Sequence, residues 1–131
     1  MPNLNIYLVE GFSQEQKARL MRRVTDVVAQ CLAAPLPSIR IFLIELPKAH
    51  ICVGGEILAA QDSCGLTGGP TVHAFLIAGR SDAQKEAMIA GLTEVIEETL
   101  GIPAEPVRVM FFDIANTDFG MKGLTAKSLG R

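Results

Sequence analysis

The chain has 131 residues and a formal net charge of −2, and 49% of its residues are hydrophobic. A charge this close to zero, with no basic run, predicts no nucleic-acid partner, because phosphate binding requires a positive surface. No segment reaches the roughly 18 uninterrupted apolar residues of a membrane span, so we expect no membrane partner. The three cysteines lack metal or redox spacing and no signal peptide precedes Pro2, which predicts a cytoplasmic protein without a metal or other cofactor.

The first predicted element is a strand that begins almost at the amino terminus. Residues 4–9 form a short apolar run, which is typical of a buried strand, and Pro2 stands just before it. We expect Met1 to be removed, because proline is small, so that Pro2 carries a free secondary amine. Chain termini are normally frayed and solvated. An amine held at the start of a strand is therefore a candidate for proton transfer near neutral pH without a cofactor.

A helix and a second strand follow. Gly11 favours a turn, and Ser13 with Gln16 forms a capping box, in which the serine hydroxyl accepts a backbone N–H and the glutamine reaches back. Apolar residues then recur at helical spacing until Pro35, which cannot continue a helix. Residues 39–46 are rich in β-branched and aliphatic side chains and predict a strand.

The same elements occur a second time along the chain. A shift of 68 positions aligns identical residues throughout, among them Gly11 with Gly79, Ser13 with Ser81, Pro35 with Pro103 and Arg40 with Arg108. The second copy therefore predicts strands at 72–77 and 107–114 with a helix between them. The shift also places Pro2 on Pro70. An internal repeat of this length indicates a duplicated unit whose halves pair with each other.

These elements predict an α/β (α+β) fold made of two tandem β-α-β units in a single domain, residues 1–131. The copies span 1–60 and 70–131, and the small polar segment 61–69 is predicted to be a linker. A strand, helix and strand in one sheet form a parallel pair with a right-handed crossover. We therefore expect one four-stranded sheet with two helices on one face. The other face would be apolar and uncovered, which predicts an oligomer.

Several motifs, at matching spacings in both copies, resemble the 4-oxalocrotonate tautomerase family. In the first copy they are Pro2, the run 10–17, the run 34–40 and Lys48-Ala49-His50 with Gly54-Gly55-Glu56; in the second they are Gly79-Arg80-Ser81 and Asp118-Phe119-Gly120. The resemblance implies a tautomerase-like fold and a fused member, with two short subunits in one polypeptide. Short subunits of that family form hexamers, so a fused chain implies a homotrimer with six β-α-β units. It also implies a cofactor-independent isomerase of small enol or 2-oxo carboxylic acids.

The resemblance assigns roles to individual residues. Family members use the amino-terminal proline as general base, arginines to hold a carboxylate and polarise a carbonyl, and an aromatic side chain to keep the pocket dry. Pro2 matches the proline. The arginine of the second strand is matched twice, by Arg40 and Arg108. The sequence leaves open which of the two faces Pro2. Arg80 matches the arginine of the turn, and Phe119 matches the aromatic residue.

The two copies depart from the family pattern in opposite ways. Phe12 replaces the turn arginine and Ile51 replaces the aromatic residue in the first copy, whereas Arg80 and Phe119 are kept in the second. Pro70 is a mid-chain proline whose nitrogen is an amide without a usable lone pair. The family completes each proline with residues of neighbouring units. The second copy is therefore expected to serve the free amine, and the first copy to border the inactive proline.

The expected mechanism depends on the pKa of the Pro2 amine. Nearby guanidinium groups and an apolar pocket both disfavour the ammonium form and lower that pKa towards neutrality. Arg80 or Arg108 would bind the substrate carboxylate bidentately, and another arginine, such as Arg40, would stabilise the enolate oxygen. Phe119 would line the substrate pocket.

Two alternatives remain open from the sequence. The same proline, acting as an acid, would support dehalogenation or hydration of small unsaturated acids, or decarboxylation of 3-oxo acids. Those reactions need a carboxylate to activate water, and position 121 is Met121, although Asp118 is close in sequence. The other alternative is a catalytically idle trimer that only binds ligands.

Overall fold

The computed structural model describes residues 2–58 and 69–131, in which the first copy forms a strand, a helix and a second strand. Its elements are β1 (Asn3–Val9), α1 (Gln14–Leu32), β2 (Arg40–Leu46), β3 (Cys52–Val53) and β4 (Glu56–Ile57). The second copy has the same order: β5 (Thr71–Ile77), α2 (Asp82–Leu100), β6 (Arg108–Ile114), β7 (Gly120–Met121) and β8 (Leu124–Thr125). One-turn 3-10 helices span Leu36–Ser38 and Lys48–His50.

The four long strands form one sheet in the order β2-β1-β5-β6. Each copy contributes a parallel pair, β1 with β2 and β5 with β6, and the two copies join through antiparallel pairing of β1 with β5. Asn3 lies opposite Arg40 in one pair, and Thr71 lies opposite Arg108 in the other. The predicted fold class, two β-α-β units in a four-stranded sheet, is confirmed.

Both helices begin with the predicted capping boxes. The Ser13 hydroxyl accepts the Gln16 N–H, and the Gln16 side chain accepts the Ser13 N–H; Ser81 and Gln84 repeat this arrangement. The helices end at left-handed residues, Ala33 and Gly101. The chain therefore leaves α1 two residues before Pro35, so the proline follows the helix end and does not itself form it.

The core lies between the sheet and the two helices. Alternate residues of the central strands are buried against the helices: Leu4, Ile6 and Leu8 in β1, and Val72, Ala74 and Leu76 in β5. The helices approach closely where Gly91 of α2 meets Val27 of α1, because a Cβ at Gly91 would lie 2.8 Å from a Val27 methyl carbon. The helices thus cover one face of the sheet, as predicted.

The opposite face of the sheet carries aromatic side chains. Phe75 and Phe112 stack with ring centroids 4.9 Å apart, and His73 packs edge-on against Tyr7 and Phe112. Phe42 remains 55% exposed on the same face. This face is the apolar surface that the sequence predicts to be uncovered within one chain.

Some sequence predictions fall outside the described residues or need correction. Met1 and residues 61–68 of the predicted linker lie outside them. Glycines near the end of each copy predict tight turns at 54–55, 120 and 123. Gly54, Gly55 and Gly123 do occupy turns with positive φ, but Gly120 begins β7 and does not lie in the turn. In the described part of the chain, neither helix is long and apolar enough to cross a membrane.

Candidate active site

Pro2 and Pro70 occupy equivalent places in the backbone. The carbonyl oxygen of Pro2 accepts the Arg40 N–H at 3.1 Å, and that of Pro70 accepts the Arg108 N–H at 3.1 Å. Both prolines are buried. The two positions differ in the nitrogen chemistry open to them, because Pro70 is joined to Gly69 by a peptide bond, whereas Pro2 would carry an amine on removal of Met1.

A cavity of about 620 Å³, here called the amino-terminal cavity, lies at the start of β1. It is lined by Asn3, Arg40, Asp118, Phe119, Gly120, Met121, Lys122 and Arg131. Asn3 is the next residue after Pro2, and Arg40 contacts Pro2 through the backbone hydrogen bond. The cavity combines Arg40 from the first copy with Phe119 from the second, so two of the predicted site residues lie together.

A second cavity, of about 340 Å³, lies at the equivalent place beside Pro70. It is lined by Tyr7, Leu8, Leu46, Ile51, Cys52, Val53, Gly69, Thr71, Pro106 and Arg108. Ile51 and Arg108 are the repeat counterparts of Phe119 and Arg40. Each cavity thus combines the second-strand arginine of one copy, Arg40 or Arg108, with Phe119 or Ile51 of the other copy.

Arg80 lies in a different cavity, which we call the helix-end cavity, at the carboxyl end of α1. Its lining includes Pro35, Ser38, Gly79 and Arg131. The Arg80 Nη1 donates to the Leu32 carbonyl oxygen at 2.7 Å. A guanidinium suits this position, because the last carbonyls of a helix lack partners and carry partial negative charge. Within one chain, Arg80 does not line the amino-terminal cavity, although Arg131 lines both cavities.

Arg108 and Phe12 have structural contacts of their own. The Arg108 Nη1 donates to the carbonyl oxygens of Glu105 at 2.7 Å and Val107 at 3.1 Å. Phe12, the counterpart of Arg80, packs against the hydrophobic core. One chain therefore places Arg40 and Phe119 in the amino-terminal cavity, and Arg80 and Arg108 line other cavities.

The amino-terminal cavity contains charged residues that sequence reasoning missed. Lys122 and Arg131 line it together with Arg40, and Asp118 supplies one carboxylate, whose Oδ1 accepts the Thr117 hydroxyl at 3.0 Å. The sequence contains a sign that Lys122 could differ in role between the copies, because the repeat aligns it with Gly54. Arg131 had none, because the alignable part of the first copy ends before it.

Neither the Cys31 thiol nor a metal site adds to the candidate active site in the described residues. Burial raises the pKa of the Cys31 thiol, which fits its contact with the core from α1. Across residues 2–58 and 69–131, no cluster of three or more His, Cys, Asp or Glu side chains could hold a metal ion.

Comparison with known protein families gives two matches along the chain. A family model described as "Tautomerase enzyme" matches residues 2–61 and 70–128. A 2-hydroxymuconate tautomerase of Stutzerimonas stutzeri is 45% identical over 56 residues, which are 43% of this chain and 89% of that protein. One short relative therefore corresponds to about half of this chain.

Solved structures match the chain over nearly its whole length. A native fused 4-OT is 43% identical with a TM-score of 0.90, and a fused 4-OT described as an asymmetric trimer is 44% identical with a TM-score of 0.89. Each alignment covers 98% of this chain and 99% of the other. A member of the cis-3-chloroacrylic acid dehalogenase family is 19% identical with a TM-score of 0.80, covering 94% of this chain and 82% of that one, and it shares the fold alone.

Proposed function

The chain belongs to the tautomerase family of enzymes, and we propose that it is a cofactor-independent keto–enol isomerase of small enol or 2-oxo carboxylic acids. Pro2 is its general base. The observation that carries this proposal is the amino-terminal cavity, which joins Arg40 and Phe119 to Asn3, the residue after Pro2. The names of its relatives, 2-hydroxymuconate tautomerase and fused 4-OT, support the same reaction class.

Pro2 acts by moving one proton. Its amine, freed by removal of Met1, takes the hydroxyl proton of an enol acid and returns it to the neighbouring carbon, which leaves the ketone. The amine must be unprotonated at neutral pH to do so. Burial of Pro2 and the positive charge of Arg40 both oppose protonation and lower the pKa of the amine. A base whose pKa is near the working pH transfers protons most efficiently.

The arginines and Phe119 act on the rest of the substrate. Arg40 stabilises the negative charge that develops on the enolate oxygen, because it lines the cavity beside Pro2. Arg80 or Arg108, supplied by a neighbouring chain, binds the substrate carboxylate bidentately. Phe119 excludes water from the reacting atoms, which strengthens these charge interactions.

The proposed assembly is a homotrimer in the reducing cytoplasm. Similar solved proteins are described as trimers, and the aromatic face of the sheet offers an apolar surface for association. Assembly is also what brings Arg80 to Pro2, because within one chain Arg80 contacts the end of α1.

The test of this function compares two proline variants. Pro2→Ala should lower kcat/KM for ketonisation of phenylenolpyruvate by about 100-fold or more, the usual contribution of a general base. Pro70→Ala should keep activity within about twofold, because the hydrogen bond at Pro70 uses only its backbone oxygen. Intact-mass measurement must first establish that Met1 is absent from both proteins. Equal losses in the two variants would contradict the assignment of Pro2.

A second candidate function is hydration or dehalogenation of a small unsaturated acid, or decarboxylation of a 3-oxo acid. The observation in its favour is that Asp118 lines the same cavity as Arg40. Its carboxylate would activate water while Pro2 supplies a proton. Turnover of halogenated acids, measured as halide release beside the enol-acid assay, separates the two reactions. A trimer that only binds ligands would show neither reaction.

A further inference from the structure

We propose that the cavity of about 340 Å³ beside Pro70, here called the Pro70 cavity, is a second binding site. It holds a small carboxylate with an apolar tail and does not convert it. The proposal goes beyond the isomerase function, because it concerns a cavity whose proline nitrogen is an amide and cannot act as a base. The volume of the cavity lies in the range of about 300–1,000 Å³ that is usual for small-molecule sites.

Three polar side chains form a row in the lining of the Pro70 cavity. Tyr7 of β1 lies opposite Thr71 of β5, and Thr71 lies opposite Arg108 of β6, so the three belong to the same face of the sheet. Neighbouring strands are about 4.8 Å apart, and a carboxylate over Thr71 is therefore within reach of the side chains on both sides. One ligand group can thus contact a cation and two hydroxyls.

The donors of this row are not used up inside the chain. The Tyr7 and Thr71 hydroxyls make no hydrogen bond to the described residues. Arg108 donates to the carbonyl oxygens of Glu105 and Val107 through Nη1 alone, which holds the guanidinium in place and leaves Nε and Nη2 to donate to a ligand. Guanidinium N–H groups and hydroxyls together match the several acceptor positions of a carboxylate.

Apolar side chains form much of the remaining lining. Leu46 at the end of β2 and Ile51 are half-buried, and Val53 of β3 is 45% exposed. An apolar tail that packs on these side chains leaves water together with them, which favours binding. The cavity therefore fits an acid with a hydrocarbon or aromatic tail better than a small inorganic anion.

The Pro70 cavity differs from the amino-terminal cavity at the place of Tyr7. The repeat aligns Tyr7 with Phe75, which lies opposite Asn3 and has no hydroxyl. The Pro70 cavity thus gains a donor for a carboxylate on the side that has no base, so an acid bound there is released unchanged. Arg108 then serves this cavity, which leaves Arg80 for the substrate carboxylate at Pro2.

Alkylation of Cys52 tests the proposal, because Cys52 is exposed and lines the Pro70 cavity but not the amino-terminal cavity. Saturating 3-phenylpropionate should slow the reaction of Cys52 with iodoacetamide about fivefold or more, as measured by peptide mass mapping, because a ligand in the cavity covers the thiol. Half-protection is expected near about 1 mM, since so small a ligand makes few contacts. The neutral 3-phenylpropionamide should need an about tenfold higher concentration, because it lacks the charge.

Variants that remove one hydroxyl locate the ligand. Tyr7→Phe and Thr71→Val should each raise the half-protecting concentration by about threefold to tenfold, the effect of one lost hydrogen bond. Thr93→Val also removes one hydroxyl, which bonds to the Ile89 carbonyl oxygen within α2, and it should leave that concentration unchanged. Arg40→Ala, in the amino-terminal cavity, should leave it unchanged as well.

Each outcome decides the proposal. It would be overturned by an unreactive Cys52 in the free protein, by a lack of protection with 3-phenylpropionate, or by equal protection with the amide. Unchanged half-protection in both Tyr7→Phe and Thr71→Val, or protection lost in Arg40→Ala, would place the ligand outside the Pro70 cavity. Isomerase activity is measured separately with phenylenolpyruvate, so the two proposals stand or fail independently.

Discussion

At the scale of single residues, the two prolines share one backbone position, and only Pro2 is proposed as a catalytic group. Pro2 and Pro70 accept equivalent hydrogen bonds, from Arg40 and Arg108, and both are buried. Duplication reproduced this geometry in both copies. It could not reproduce the free amine proposed for Pro2, because a chain has one amino terminus. The residues that differ between copies, Arg80 against Phe12 and Phe119 against Ile51, are therefore the ones expected to have different roles.

The first residue-scale prediction concerns Arg80 and its counterpart. Arg80→Ala should lower kcat/KM for phenylenolpyruvate by about 10-fold to 100-fold, since a charge-assisted contact with a carboxylate contributes about 1.5–3 kcal/mol. Phe12→Ala should reduce the free energy of unfolding, because Phe12 packs against the core, and affect kcat/KM less. Steady-state kinetics and thermal melts measure the two effects. Activity lost in Phe12→Ala and kept in Arg80→Ala would show that each site is built within its own copy.

Mixed oligomers extend this prediction by asking which chain supplies each arginine. Arg80 contacts the end of its own α1, so it should act on the Pro2 of a neighbour. Co-expression of Pro2→Ala and Arg80→Ala chains should restore about a quarter of wild-type activity, since in a cyclic trimer each chain has one defined neighbour on each side. The matched pair of Pro2→Ala and Arg40→Ala should restore almost none, because Arg40 is proposed to serve the Pro2 of its own chain. Recovery in the second pair but not in the first would reverse the two assignments.

At the scale of elements, the sequence predicts the long strands and helices well. The predicted strands at 4–9, 39–46, 72–77 and 107–114 each lie within one residue of the observed bounds. Periodicity is reliable for such segments, since a mispositioned strand would turn its apolar residues to the wrong face. The hairpins β3–β4 and β7–β8 were not predicted as strands, because two-residue strands carry no period and their glycines indicate only a turn.

The repeat also reproduces ion pairs that join each helix to its own strand. Lys17 bonds to Glu45 at 2.9 Å, and Lys85 bonds to Asp113 at 2.7 Å, at equivalent positions. Partly exposed pairs of this kind contribute at most about 1 kcal/mol each. Their recurrence explains two acidic residues structurally, and it leaves Asp118 as the acidic residue that lines the amino-terminal cavity.

The element-scale prediction tests the contact between the helices. Gly91→Leu should lower the free energy of unfolding by about 1–3 kcal/mol, the usual cost of overpacking, because a Cβ there already overlaps Val27. Ala90→Leu, at the adjacent exposed position of α2, should change it by less than about 0.5 kcal/mol. Denaturant unfolding at equal protein concentration measures both, since association also contributes to stability. A Gly91→Leu protein as stable as the wild type would mean that the helices can separate without cost.

At the scale of the whole molecule, the full set of residues that line each cavity could not be predicted from the sequence. The repeat and the resemblance indicated Arg40 and Phe119, but not that Lys122 and Arg131 line the same cavity. Side chains far apart in sequence meet only after the sheet pairs and the hairpin packs, and no periodicity encodes that meeting. Arg80 was expected to serve Pro2, and within one chain it lies in the helix-end cavity. The role proposed for Arg80 therefore depends on assembly.

The open face of the sheet is the surface proposed to hold that assembly together. Phe42 lies on this face opposite Asn5 and is 55% exposed, while Ile89 of α2 is 42% exposed on the helical side. Both are large hydrophobic residues that are exposed in one chain, so exposure alone does not tell which of them lies at the interface. Association through the sheet would bury Phe42 and leave Ile89 in water. Burying one such side chain contributes about 1.5–3 kcal/mol, and cyclic symmetry repeats the contribution in every chain.

The prediction at this scale compares Phe42→Glu with Ile89→Glu by light scattering at micromolar concentration. The wild type and Ile89→Glu should have three times the 14.1 kDa mass of one chain. Phe42→Glu should dissociate, because a carboxylate buried without a partner costs more than the lost side chain gives. Its helical circular dichroism should persist, since Phe42 points away from the core, and its isomerase activity should fall because Arg80 no longer reaches a neighbour's Pro2. A stable wild-type monomer would refute the trimer, and dissociation of Ile89→Glu alone would place the interface on the helices.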